Sequence, residues 1–350
     1  MRLTCRPLPL PLATPFRTAH GASRKRTNAL VELADADGRS FFGEGALPPY
    51  YPHDVADVQR YVDALDPEAL LDRPPFALDA QLGRLPAGGP APARCAVDLA
   101  LHDRWATHRG APLYELLGLD PAGAPPSSVT ISLPSGDPDE LREAARARRS
   151  ASVLKLKLGA GSIEADERAV RIVQSETDAA LAVDANEAWT VEEAAALIPR
   201  LADLHFIEEP LQKRTPAAWR ALHERLSEHT APLPPLLADE SVQRAADVVE
   251  LASAVDGVNV KLAKAGGLAG ARRWIAVAQA LGLKVLLGCM IASSLAVTAA
   301  AHLAPQADFA DLDGALSLSD DPFAGVTLAD DGRLHLPQRP GLGTTRRPAV

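Results

Sequence analysis

A periodicity in the second half of the chain most constrains its fold. Apolar, strand-like runs begin near Val129, Val153, Leu181, His205, Leu236, Val258, Val285 and Phe309, with successive starts roughly 22 to 31 residues apart. Between most of them lies an amphipathic or alanine-rich stretch of helical spacing, clearest over Asp137–Arg149, Ile163–Val173, Val191–Leu201 and Leu268–Ala280. Strands that alternate with helices in this way pair in parallel. Eight such runs over about 190 residues predict an α/β fold closed into a (β/α)8-type barrel rather than an open sheet. Residues 1 to about 118 repeat no unit. Thr27–Leu33 and Ser40–Glu44 read as strands joined by a turn at Asp35-Ala36-Asp37-Gly38, and Val55–Leu65 and Ala91–Trp105 read as helices. The polar stretch His20–Arg26 reads as a mobile loop, and Pro121–Pro126 as a linker.

The second constraint is where the lysines are. The chain has seven lysines against twenty-nine arginines, and four of the seven fall in Val153–Gly159 and Asn259–Lys264. Lys155 and Lys157 are two apart, so on a strand they share one side. Lysine can surrender its proton and arginine cannot, which makes proton transfer the first chemistry to consider. Lys261 and Lys264 are three apart, so a shared side is not required of them.

In a barrel the chemistry gathers at the C-terminal ends of the strands. There the sequence places Asp184, Glu208 and Asp239 on three successive units, with the lysines on the units to either side and Asp311-Leu-Asp313 at the last. A single Asp at a strand end is usually a helix cap. Three in consecutive units repel one another unless a cation joins them, and single carboxylate oxygens suit Mg²⁺. Like charge from the lysine doublets and the metal is expected to lower the lysine pKa values toward those of a working base.

A net charge of −9 and a pI near 5.5 argue against nucleic acid or an anionic membrane surface as partner. No apolar run approaches a membrane span. Three cysteines in no paired motif, and a proline-broken start unlike a secretory signal, lead to the expectation of a cytoplasmic protein. Oligomeric state is left open.

The doublet Lys155-Leu-Lys157, followed in order by Asp184, Glu208, Asp239 and Lys261, resembles the muconate-lactonizing subgroup of the enolase superfamily over nearly the whole chain. The resemblance implies a (β/α)7β barrel at 125–322 and an α+β capping domain at 1–120, completed by about 325–350. It implies Asp184, Glu208 and Asp239 as Mg²⁺ ligands and Lys157 and Lys261 as the two acid/base groups, with Lys155 supporting Lys157 and touching the substrate carboxylate. Within the subgroup, Asp311-Leu-Asp313 is similar to the motif with which dipeptide epimerases hold the substrate's free α-ammonium. Thr130, Cys289 and Ile291 would line the dipeptide site, with barrel core as the alternative reading of Cys289 and Ile291. The implied reaction is inversion of the C-terminal α-carbon through an enediolate, on L-Ala-D/L-Glu or related L,L-dipeptides. In the family the region of His20–Arg26 closes over the substrate; Arg24 or Lys25 would favour an acidic C-terminal residue such as Glu, or else are solvated surface charges.

Three other readings compete with this one. N-acylamino-acid racemisation or o-succinylbenzoate synthesis would use the same lysines and metal, but those substrates offer no ammonium to Asp311 and Asp313. A sugar-acid dehydratase relies on a late strand-end histidine, whereas His302 falls in a helical pattern. A non-catalytic metal-binding barrel gives no reason for lysines on both sides. Ala292 stands where many relatives carry a glutamate, which disfavours a cycloisomerase.

Overall fold

The computed structural model describes residues 1–18, 21–133, 136–159 and 161–348. The N-terminal part is a three-stranded antiparallel sheet, β1 (Arg2–Thr18), β2 (Gly21–Ala34) and β3 (Ser40–Gly45), in the order β1-β2-β3. Helices α1 (Val55–Asp63), α2 (Pro67–Leu71), α3 (Leu78–Leu82) and α4 (Ala91–Arg109) follow, then the single turn α5 (Leu113–Leu116).

The proline-rich start is a strand. Pro7, Pro9 and Pro11 recur every second residue, so their missing N–H groups all fall on the outer edge, away from β2. The alternate residues Leu8, Leu10 and Leu12 are buried. The stretch expected to be a mobile loop is also strand. Gly21–Arg26 opens β2, with Ser23 opposite Phe16, Lys25 opposite Pro11 and Arg26 opposite Leu10. His20 lies outside the described residues. The polar side chains that suggested a loop are instead the exposed tip of a long hairpin, where solvation does not conflict with pairing. Behind the hairpin, β3 lies directly on α4. Only a glycine fits at Gly43, where a Cβ would come 1.8 Å from the Ala96 carbonyl oxygen.

The barrel strands are β4 (Val129–Ile131), β5 (Val153–Lys157), β6 (Ala180–Asp184), β7 (Ile207–Glu208), β8 (Leu236–Ala238), β9 (Gly257–Lys261), β10 (Lys284–Gly288) and β11 (Phe309–Asp311). All pair in parallel in sequence order. A Ser127–Ala310 bridge, with Ser128 N donating to Ala310 O at 2.8 Å, joins the first edge to the last. The intervening helices are α6 (Pro138–Arg146), α7 (Ile163–Glu176), α8 (Val191–Leu197), α9 (Pro216–Leu226), α10 (Ala245–Leu251), the turn α11 (Leu262–Ala265) with α12 (Leu268–Ala280), and α13 (Ser294–Ala301). The result is the expected (β/α)7β barrel. The fourth strand is shorter than its sequence pattern and begins at Ile207, with His205 outside it.

Strand periodicity sets the floor of the site. Ala182, Phe206, Leu237 and Phe309 form one apolar cluster with Leu286 inside the barrel. The first four stand two residues before Asp184, Glu208, Asp239 and Asp311, so the same inward-facing rows that end in charge begin in hydrocarbon.

The tail returns to the N-terminal part. Leu342 N donates to Asp103 Oδ1 (2.8 Å), and Gly341 exchanges backbone bonds with Ala111 and Leu113. At the barrel mouth, buried Asn28 of β2 donates to Glu44 Oε1 (2.6 Å) and to Ile291 O (3.1 Å), while Ser293 N donates to Glu44. These bonds seat the hairpin on the loop after β10. Among the described residues, no helix is long and apolar enough to cross a membrane.

Candidate active site

Alternation along β5 turns Leu154 and Leu156 outward to the helices and sends Lys155 and Lys157 inward. Lys155 is 1% exposed and sits beneath the mouth, its Nζ 2.5 Å from Glu208 Oε2, 2.7 Å from Asp311 Oδ2 and 3.5 Å from Asp184 Oδ2. Lys157, one layer higher, reaches Asp184 Oδ2 at 2.5 Å. On the far side of the barrel, Lys261 Nζ meets Asp239 Oδ2 at 2.5 Å. Lys264, on α11, converges on the same residue, donating to Asp239 Oδ1 (2.6 Å) and O (2.7 Å). The one-turn helix curls Lys264 back, so a spacing of three still brings both ammonium groups to one carboxylate.

Asp184, Glu208 and Asp239 are each at most 1% exposed. Burial, and then the neighbouring Asp184 charge, pushes the Glu208 carboxyl up to about 8. Burial works the same way on Asp184 and Asp239, but the lysines outweigh it and hold both below the usual carboxylate range. The lysine pKa values follow from the same balance. Burial, and for Lys157 the nearby Lys155 charge, do act to lower them, but Asp184 and Asp239 override both and leave Lys157 and Lys261 raised. Because the carboxylates are turned onto lysines, no group of three His, Cys, Asp or Glu among the described residues is gathered at metal-holding spacing. The donor set still fits a hard divalent cation. Three carboxylates lie on adjacent strand ends, and Glu208 Oε2, though close to Lys155, has no hydrogen bond aligned to it.

Above this layer a cavity partly open to solvent is lined by Lys157 and Lys261 together with Thr130, Cys289, Ile291, Asp311 and Asp313. Lys155 is not on its wall. Asp311 Oδ1 accepts from Ser128 Oγ (2.7 Å), and Asp313 Oδ2 accepts from Thr130 N (2.7 Å). Burial and the adjacent Asp311 charge push Asp313 up to about 6, while Lys155 overrides burial at Asp311 and holds it low.

Several site residues escaped the sequence. Arg26 lines the cavity, while Arg24 and Lys25 are exposed on the hairpin, in keeping with their reading as solvated charges. Phe16, Tyr50 and Asn186 join it from the N-terminal part and the loop after β6. Asn259 Nδ2 donates to Glu208 Oε1 (2.7 Å); its place two residues before Lys261, on the inward row, was a readable signal. Glu209 turns away from the cluster and braces the next loop, accepting from Asp239 N (2.6 Å), Ser241 N (3.1 Å) and Ser241 Oγ (2.5 Å). That split requires left-handed backbone at Glu209 (φ 37°), as Asn186 (46°) and Glu187 (65°) also adopt.

A barrel whose strand ends carry a lysine doublet, three successive carboxylates and an opposed lysine defines a family. Residues 139–350 match the family described as enolase C-terminal domain-like, and the chain belongs to the enolase superfamily. It is 34% identical over 356 residues to the L-Ala-D/L-Glu epimerase of Bacteroides thetaiotaomicron, covering 99% of this chain and 88% of that one. Among solved structures it resembles a substrate-liganded L-Ala-D/L-Glu epimerase from Bacillus subtilis (TM-score 0.87, 28% identity, 98% of each chain). It also resembles a dipeptide epimerase from Cytophaga hutchinsonii complexed with Mg and D-Ala-L-Val (TM-score 0.86, 25% identity, 99% of this chain and 96% of that one).

Proposed function

We propose that this protein is a dipeptide epimerase, an isomerase that inverts the α-carbon of a dipeptide's C-terminal residue by two-base 1,1-proton transfer. The observation that carries the reading is the placement of Lys157 and Lys261 on β5 and β9, four strands apart in an eight-stranded barrel and on opposite walls of one cavity. The carboxylates of the three strands between them line the same arc. The relatives' names support the substrate class.

An α-proton beside a carboxylate is very weakly acidic, since its removal places a second negative charge on the same group. Asp184, Glu208 and Asp239 would hold Mg²⁺, which when bound acts as a Lewis acid toward the substrate carboxylate and takes up the negative charge that keeps the lysines protonated. The chain's own groups do the rest. Lys155, held charged by three carboxylates, supplies a fixed positive charge on a dry floor, where it acts most strongly. One of Lys157 and Lys261 removes the α-proton, and the other delivers a proton to the opposite face. Asp313 and Asp311 receive the substrate's α-ammonium. Thr130, Cys289 and Ile291 shape the wall. Among the described residues lining the cavity, Arg26 is the one cation besides the two lysines, and it favours an acidic C-terminal side chain such as Glu.

The Asp311–Asp313 pair argues against N-acylamino-acid racemisation and o-succinylbenzoate synthesis, whose substrates lack the ammonium. We take 1–120 with 325–350 as the capping unit and 125–322 as the catalytic one. Three free cysteines support a reducing, cytoplasmic setting.

The test is incubation with Mg²⁺ and a mixed L,L-dipeptide library in D₂O, read as a mass gain of one unit at the C-terminal α-carbon. Absence of uptake from every dipeptide refutes the proposal. Lys157→Ala and Lys261→Ala should each abolish inversion, and retained inversion in either refutes the two-base assignment.

A further inference from the structure

The two opposed lysines are anchored in different ways. Lys261 ends β9 and leads into α11, then Gly266 and Gly267, then α12. Gly267 N donates back to Leu262 O (2.9 Å), so this segment is one compact turn, with φ of 78° and 106° at the two glycines. The first N–H groups of α12 have no partner within the helix. A side chain from the N-terminal part meets them: Leu268 N donates to Asp98 Oδ1 (2.7 Å) and Ala269 N to Asp98 Oδ2 (3.3 Å). Asp98 lies in the middle of α4, is 2% exposed, and is held in turn by His102 Nδ1 at 3.1 Å. The approach depends on Gly267, where a Cβ would stand 2.3 Å from Asp98 Cγ. On its other flank the turn is fixed by Lys264, bonded to Asp239. The corresponding loop beyond Lys157 is tied within the barrel, Gly159 N donating to Asp166 Oδ1 of α7 (3.0 Å).

We infer that Asp98 is a positioning residue for Lys261. By capping α12 from α4, it fixes the 261–268 turn and so the direction of the Lys261 ammonium, while Lys157 is set independently of it. The inference rests on the two-base reading and deepens it: one of the two proton-transfer groups depends on the docked N-terminal part, and the other does not.

Two variants perturb the contact by different routes. Asp98→Asn keeps the shape but weakens the cap, and Gly267→Ala leaves Asp98 intact but displaces it. Each is assayed for α-proton exchange in D₂O with the two C-terminal epimers separately. The epimer served by Lys261 is identified as the one whose exchange Lys261→Ala abolishes. Both variants should lose exchange of that epimer by about 10- to 100-fold, the scale of a small misplacement of a reacting group, and retain exchange of the other. An equal fall for both epimers would mark a merely structural role and overturn the inference. A second readout needs no turnover. With seven lysines in the chain, [ε-¹³C]lysine NMR resolves them individually. Asp98→Asn should move the Lys261 and Lys264 signals and leave those of Lys155 and Lys157 in place. An unmoved Lys261 signal overturns the inference. If the wild-type protein exchanges no dipeptide, the epimerase reading fails on its own and the spectrum still decides the placement.

Discussion

Acidification should unfasten the C-terminal tail through His302. This side chain is fully buried at the end of α13, with its two nitrogens committed to opposite roles. Nδ1 accepts from Tyr114 N (3.2 Å), and Nε2 donates to Leu342 O (3.1 Å). A second proton on Nδ1 would face an N–H that cannot turn away. Burial, more than the opposing bond to Leu342, lowers the pKa from 6.5 to about 4. Between these values the unfolded chain binds the proton and the native protein does not, so stability rises with pH. The contribution is fully present above pH 6.5 and is lost as pH falls toward 4. At about 1.36 kcal/mol per pH unit, the whole effect is about 3 kcal/mol, of which about 2 kcal/mol disappears between pH 7 and pH 5. The assay is urea unfolding of wild type and His302→Gln at both pH values. Glutamine can accept from Tyr114 and donate to Leu342 but does not titrate, and other buried acids such as Asp103 cancel in the comparison. Wild type should lose about 2 kcal/mol more than the variant over this range. Parallel losses would refute the assignment of a neutral, doubly bonded His302.

Asp313→Asn should lower kcat/KM for free dipeptides about 10- to 100-fold, chiefly through KM, as expected for loss of one charge-assisted bond. The loss should be confined to substrates with a free ammonium, so that kcat/KM for N-acetylated dipeptides does not fall with it, which steady-state kinetics on the two substrate classes would show. Chelation with EDTA should abolish deuterium uptake, and added Mg²⁺ should restore it; activity persisting through exhaustive chelation would exclude the metal-assisted reading. Gly43→Ala should destabilise the protein by about 3 kcal/mol, because the new methyl must displace the α4 backbone, and the denaturation midpoint would report it.

The barrel and most of the site were legible because both follow from local rules. A period of two put Lys155 beside Lys157, and strand-end position put Asp184, Glu208, Asp239 and Asp311 around one mouth. The hairpin is hidden in the sequence for a physical reason: polar side chains at an exposed strand tip look the same as those of a loop, and the pairing partner lies in another segment. Arg26 is not distinguishable from Arg24 and Lys25 in the linear order, because which of three adjacent residues faces a cavity depends on strand register.

The sequence alone determined which chemical groups are present and on which strand each sits, since alternation and βα spacing are properties of the local chain. Only the tertiary structure decided their electrostatics and their supports. The lysine pKa values rise because carboxylates from neighbouring strands face them at 2.5 Å, a balance of burial against charge that has no counterpart in the linear order. The cap that Asp98 places on α12 joins residues 170 positions apart, and it exists because α4 packs across the start of that helix.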